Sequence, residues 1–297
     1  MKRIIRIADL ACGAGMASLG VCRELERLGF QPVIVRACDP WGPAIESYRS
    51  NLSRYLDGSV ALQCKAEDLT GLPTVDLVLS GPPCIRDSTL SKGKGRTDTD
   101  GSVAATKSVV EQLGGQARLE VMETVGRSWV SWGKERGFQA VRVKDSDLGG
   151  YTIRRRTMLL RGFKAEVREP HFDPCAWAWT ECPGVPRRFN NKRYVMANDA
   201  DSEAKRREHP RPWYEPGYAI VGHGTSHRIY DLGEDGKGWD YVHRLTPEES
   251  RSLSGFGPEL ELLSTKVRGR QTLVGNGWPA SYGRWVAGLV AAEVRSW

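Results

Sequence analysis

Val75-Asp76-Leu77-Val78-Leu79-Ser80-Gly81-Pro82-Pro83-Cys84 runs from an almost wholly apolar segment into a glycine and two prolines, and arrives at a cysteine. Residues 75–79 have the composition of an inner strand in a parallel sheet covered on both faces. The prolines end that strand, because each fixes φ and removes a backbone donor. Cys84 is thereby set on a stiffened turn at the carboxyl end of a strand, where open α/β sheets carry their chemistry. A free cysteine is most often a small buried hydrophobe. The Gly-Pro-Pro frame favours a nucleophile instead.

Upstream, residues 4–10 read as a strand, followed by the glycine-rich turn Ala11-Cys12-Gly13-Ala14-Gly15-Met16 and a helix over 17–28. Such a turn lets a ligand approach the backbone and meet the helix N-terminus. Cys12, Gly13 and Gly15 line it, and Asp9 supplies an acceptor at the strand's end. A second strand, 32–38, leads into Asp39-Pro40-Trp41, one βαβ spacing after the glycines. Nucleoside-binding folds put a carboxylate against ribose hydroxyls at that place. A helix over 42–56 and a strand near 60–64 then lead to Glu67 and Asp68. Asp68 suits an adenine amino group, and a solvated turn accounts for both acids equally well. Strand, glycine turn, helix, strand, acid, helix, strand, acid and Pro-Pro-Cys together predict a doubly wound α/β sheet around a nucleoside-containing cofactor.

A chain of 297 residues with 40% hydrophobic content supports one large domain with a smaller attachment. No apolar run is long enough for a bilayer, and the first residues lead into a strand without a cleavage-site pattern. A soluble cytoplasmic protein is expected, with no membrane partner. The seven cysteines are odd in number and lack paired metal-ligand spacing, which points to reduced thiols and no metal. Cys175 and Cys182, near His171, are the nearest approach to a zinc pattern. A net charge of +7 favours a polyanionic partner.

The segments ADLACGAGMASLG (8–20), ACDPWGPAIESYRSN (37–51), AEDL (66–69) and SGPPC (80–84) resemble, in order and spacing, the first four motifs of the cytosine-5 DNA methyltransferases. The resemblance implies a Rossmann-like methyltransferase sheet with a small irregular target recognition domain, S-adenosylmethionine as cofactor and double-stranded DNA as partner. Asp9, Cys12, Gly13, Gly15, Asp39, Pro40, Trp41, Asp68 and Pro83 would then surround the cofactor, and Cys84 would attack the base. After Cys84 the family carries Gln, where this chain has Ile85.

Residues 85–115 interleave Lys92, Lys94 and Arg96 with glycines, as in a loop that closes over a phosphate backbone. A helix is expected over 103–113 and a strand over 118–122. That strand ends in Glu123-Thr124-Val125, which resembles the family's Glu-Asn-Val. Glu123 is the acid needed where the target ring is protonated during attack. Residues 149–160 are a basic turn entering a strand and resemble Gly-x-Pro-Gln-x-Arg-x-Arg, with Tyr151 and Thr152 at the Pro and Gln positions. Arg154 and Arg156 match its arginines, whose planar guanidinium groups suit a pyrimidine O2 and flanking phosphates.

Over 164–241 the α/β patterning fades, and Pro, Trp, Arg and Asn accumulate. Cations mixed with amides suit phosphates and base edges, and the family inserts its target recognition domain here. Thr246 is expected to cap a helix that has Pro247 at its first position. Residues 270–279 resemble Gln-x-x-Gly-Asn-x-Val-Pro, with Trp278 at a position usually small or branched. Asn276 in that motif would hydrogen-bond the methionine end of the cofactor. The resulting division is 1–163 for catalysis and cofactor, 164–265 for target recognition, and 266–297 returning to the catalytic domain. A monomer is expected. Methylation of tRNA by the same chemistry, a catalytically weakened DNA-binding relative, and transfer of a modified sulfonium group stay open as alternatives.

Overall fold

The computed structural model describes residues 1–58, 60–69, 73–82, 107, 117–125, 127–170, 178–190, 193–197, 210–212, 214–217, 219–220, 227–234 and 240–297. Pro83, Cys84, the loop 85–115 apart from Lys107, the helix expected over 103–113 apart from that same residue, and His171 and Cys175 lie outside the described residues. Two units make up the chain. The first holds Met1–Val143, Arg156–Glu169 and Gly283–Trp297, and the second holds Lys144–Arg155 and Pro170–Tyr282.

In the first unit β1 (Ile4–Leu10), β2 (Gln31–Cys38), β3 (Ala61–Leu62), β4 (Val75–Ser80), β5 (Ala117–Thr124), β6 (Gln139–Lys144) and β7 (Arg155–Arg161) form a seven-stranded sheet, in which the last residue of β6 and the first of β7 are assigned to the second unit. The order is β3-β2-β1-β4-β5-β7-β6. Strands β1 to β5 are parallel where they pair, and β7 runs antiparallel to β5. The expected doubly wound sheet is therefore present with one reversed strand. Strand order turns back between β1 and β4, the switch point at which such sheets open a crevice.

Residues on β1 alternate between two buried faces. Ala8 and Leu10 join Val35, Cys38, Val75 and Val78 in one cluster, while Ile5 and Ile7 are fully buried on the other side. Helix α1 (Met16–Arg27) follows the glycine turn, and α2 (Gly42–Leu52) starts after Trp41 with Pro43 in its first turn. The helix expected over 42–56 ends at Leu52 and passes into a 3-10 turn, Ser53–Tyr55. There the Tyr55 hydroxyl donates to Glu26 at 3.0 Å. The third strand shortens to two residues.

Helix α3 (Arg127–Glu135) buries Trp129 and Trp132, whose rings meet edge to face at 5.4 Å, against Met122 and Leu159. In the second unit β8 (Tyr194–Ala197), β9 (Arg211–Pro212), β10 (Arg228–Asp231) and β11 (Asp240–Arg244) form an antiparallel sheet of order β11-β10-β8-β9.

Helix α4 (Pro247–Leu253) opens with the capping box expected from Thr246: its hydroxyl accepts from the Glu249 amide at 3.1 Å, and Glu249 accepts from the Thr246 amide at 2.7 Å. Helix α5 (Val267–Asn276) follows. Helix α6 (Ala280–Val294) begins in the second unit and belongs to the first from Gly283 onward. A Cβ at Gly283 would lie 2.7 Å from the Gly20 Cα, so α6 and α1 meet backbone to backbone.

Candidate cofactor and catalytic site

Register places the site's parts at one edge of the sheet. Leu10 is level with Cys38 on one side and Ser80 on the other, Ser80 is level with Met122, and Cys38 with Leu62. The segments that leave these strands, 11–15, 39–41, 63–68, 81–82 and 123–125, therefore emerge together.

The glycine turn is held open by left-handed backbone at Ala11 (φ 56°), Gly13 (φ 55°) and Gly15 (φ 82°). A Cβ at Gly15 would come within 2.6 Å of Leu52, whereas one at Gly13 would meet nothing within 4 Å. Gly15 thus serves helix packing, and Gly13 faces open space. Cys12 is buried, and its amide donates to the Cys38 carbonyl at 3.0 Å.

Asp39 ties the two turns together. Its carboxylate accepts from the Gly13 amide and from the Trp41 amide, each at 3.0 Å. Burial pushes its pKa up, and the two amides pull it back down. Asp9 behaves differently. It is 2% exposed and accepts from the Ser18 hydroxyl at 2.5 Å, which in turn accepts from the Tyr48 hydroxyl at 3.1 Å. Burial raises the Asp9 pKa to about 7, with Asp39 adding to the rise and the hydroxyls opposing it. Pro40 and Asp68 are exposed at the same edge, Trp41 is half-buried, and Asp68 closes the 3-10 turn Ala66–Asp68.

At the end of β5, Glu123 is buried and paired with the Arg156 guanidinium. The antiparallel pairing explains the contact, since Glu123 is level with Met158 and Thr124 with Thr157, which brings Arg156 alongside. Gly81 donates its amide to the Leu10 carbonyl at 3.2 Å, and Pro82 is buried. Among the described cysteines burial raises every thiol, Cys38 to about 12 and Cys182 to about 11, Cys12 and Cys22 further up, and Cys64 by less. No group of three potential metal ligands occurs among the described residues.

Arg154 and Asn276 belong to the second unit. Arg154 is 3% exposed and Asn276 is exposed at the end of α5. Thr152, at the position of the motif's glutamine, donates its amide and hydroxyl to one oxygen of Asp145 at 3.0 and 2.6 Å. Ser281 donates to the other oxygen. Trp278 is buried. Ser18, Tyr48 and Asp145 were not singled out by sequence reasoning. Their partners lie 9, 30 and 136 residues away in the chain, a separation with no periodic signature.

Strand order and shared edge define an open α/β fold with its candidate site at the switch point. Three solved structures share it over nearly their whole length. A putative DNA modification methyltransferase encoded within a prophage (E. coli) gives a TM-score of 0.63 at 15% identity, covering 98% of this chain and 99% of that one. The S. pombe Dnmt2 methyltransferase gives 0.63 at 14% identity, with 98% and 99% covered. A Spodoptera frugiperda DNMT2 mutant gives 0.63 at 16% identity, with 96% and 99% covered. Residues 5–109 match the family described as C-5 cytosine-specific DNA methylase. The Type II methyltransferase M1.BsuMI of Bacillus subtilis (strain 168) is 30% identical over 122 residues, 37% of this chain. That match spans 29% of the curated relative's length. Over residues 5–109 the chain is thus similar to the C-5 cytosine-specific DNA methylases, the stretch that holds the motifs of the glycine turn, Asp39 and Gly81-Pro82-Pro83-Cys84.

Proposed function

We propose that the protein is a DNA (cytosine-5-)-methyltransferase that works through a covalent adduct of Cys84 with a cytosine turned out of the duplex. The observation that carries this reading is the common edge at which the glycine turn, Asp39, Gly81-Pro82 and Glu123 emerge.

The residues present fit S-adenosylmethionine. Gly13 borders open space, so a ligand can approach the backbone there, and the half-buried Asp39 retains lone pairs for hydroxyl donors. Cys12, Gly15, Pro40, Trp41 and Pro83 would complete the surroundings, with Asp68 toward the adenine and Asn276 toward the methionine end. When bound, this cofactor supplies an electrophilic methyl group.

C5 of cytosine is a poor nucleophile until a thiolate adds at C6. Cys84 supplies that thiolate, while Glu123 holds N3 and the exocyclic amine so that C5 gains enamine character. Arg156 fixes the Glu123 carboxyl by their ion pair. Once C5 carries the methyl group, loss of its proton and departure of the Cys84 thiolate restore the ring. A stacked base is out of reach, hence the turned-out nucleotide. Burial raises the pKa of each described cysteine, which leaves Cys12, Cys22, Cys38, Cys64 and Cys182 poor nucleophiles at neutral pH and supports Cys84.

Residues 164–265 would read the DNA, and residues 266–297 would complete the catalytic part, in a monomer. The +7 charge supports a polyanion. No described helix is long and apolar enough to cross a membrane.

Duplex DNA with 5-fluorocytosine at the target position should trap the enzyme, because fluorine cannot leave C5 as a cation. Cys84→Ser should abolish turnover and trapping together. A denaturation-resistant complex that still forms with Cys84→Ser would give the role to another cysteine. Label passing from S-adenosylmethionine to tRNA and not to duplex DNA would overturn the substrate.

A further inference from the structure

By family resemblance Arg154 would meet the target base or its phosphates, yet its surroundings give it another task. Its Nη1 donates to the Ile220 carbonyl at 2.8 Å and to the Gly275 carbonyl at 2.9 Å. Gly275 is the penultimate residue of α5, so its carbonyl is among the last four that a helix leaves without an intrahelical donor. A guanidinium at that point satisfies the carbonyl and meets the negative end of the helix dipole.

The Arg154 backbone is equally tied down. Its carbonyl accepts from the Asp145 amide at 2.8 Å and from the Tyr282 hydroxyl at 2.6 Å, and its amide donates to the Thr152 hydroxyl at 3.3 Å. Asp145, which gathers Thr152 and Ser281, is also drawn electrostatically to Arg154. All these residues belong to the second unit. The residue after Gly275 is Asn276, the last of α5.

We propose that Arg154 is a positioning residue for cofactor binding: it caps the carboxyl end of α5 and so sets the direction in which Asn276 presents its amide. The proposal rests on the reading that Asn276 holds the methionine end of S-adenosylmethionine. An arginine that reads a base or clamps a phosphate works through its planar fork. One that caps carbonyls works through a donor and a charge, which lysine also supplies.

The experiment is calorimetric titration of S-adenosylmethionine into the wild type, R154A, R154K, N276A and the R154A/N276A double variant without nucleic acid, followed by kcat and KM for duplex DNA. R154A should weaken cofactor binding about 10-fold, and R154K should bring it back to within about 3-fold of the wild type. The double variant should bind no more weakly than N276A alone, since one residue acts through the other. Losses that add in the double variant, or a raised KM for DNA at unchanged cofactor affinity in R154A, would overturn the proposal. Should R154A not fold, R154K decides: retained cofactor affinity with an unchanged KM for DNA supports the cap, and a raised KM for DNA alone refutes it. Unchanged affinity in N276A would remove Asn276 from the cofactor site. Weakened N276A beside an unaffected R154A would remove only the role of Arg154.

Discussion

Asp9 and Asp39 end neighbouring strands at the same edge of the sheet, and they meet opposite fates. Asp39 is held by two backbone amides and remains half-exposed. Asp9 is enclosed, and its partners are the hydroxyls of Ser18 and, through it, Tyr48. Amide dipoles aimed at a carboxylate offset its desolvation, while a single hydroxyl chain offsets much less. From the difference we infer that the acid held by backbone amides keeps lone pairs for a ligand, while the one enclosed with buried hydroxyls braces the fold.

The largest test of that contrast is the pH dependence of stability. The folded pKa of Asp9, about 7, lies above its ordinary 3.8. Between those values the folded state binds the extra proton, so this contribution is full below the unfolded pKa and is lost as pH rises through 7. The loss is on the order of 4 kcal/mol. Asp9→Asn should flatten it, with urea denaturation giving similar stability at pH about 5 and about 8. An unchanged pH dependence in the variant would show that Asp9 ionises freely in the folded protein.

Next in size, Asp39→Ala should weaken S-adenosylmethionine binding by about 1.5 to 3 kcal/mol, a charge-assisted hydrogen bond's worth. Calorimetry on the folded variant reads this directly, and equal losses from Asp9→Asn and Asp39→Ala would erase the contrast. The smallest effect belongs to Tyr48→Phe, which removes the outer donor of the Asp9 chain. A cost of about 1 kcal/mol in unfolding free energy is expected, with cofactor affinity kept. A larger loss of affinity than of stability would bring Tyr48 into the site.

The sequence made Asp39 legible because an acid one βαβ spacing after a glycine turn is a local pattern. It could not reveal that Asp39 accepts from Gly13, a contact across 26 residues. Strands β1, β2 and β4 were legible from apolar runs with abrupt ends. The reversal of β7 was not, since a buried strand reads alike in either direction. Nor were α3 and β6 assigned, because the large apolar residues of α3, Trp129, Val130 and Trp132, fall within a single turn, and β6 is six residues long, too short in both cases to establish a period. Thr246 and Pro247 announced their helix correctly, for capping is a contact between near neighbours. In the site, Glu123 stood out as an acid closing a strand. Its partner Arg156 came from a motif match, and the antiparallel register that joins them had no sequence signal.

The meeting of Gly20 with Gly283 has a consequence for how the protein is made. Helix α1 (Met16–Arg27) leaves the ribosome well before α6 (Ala280–Val294), which covers its glycine face. Arg3 repeats the pattern, donating to the Val294 carbonyl at 2.7 Å and stacking on Trp297 at 5.4 Å. Each of these contacts closes a loop almost as long as the chain, which slows folding through loop-closure entropy. Until synthesis reaches α6, the face of α1 around Gly20 stays uncovered, and exposed surface of that kind is what makes a part-made chain prone to aggregate.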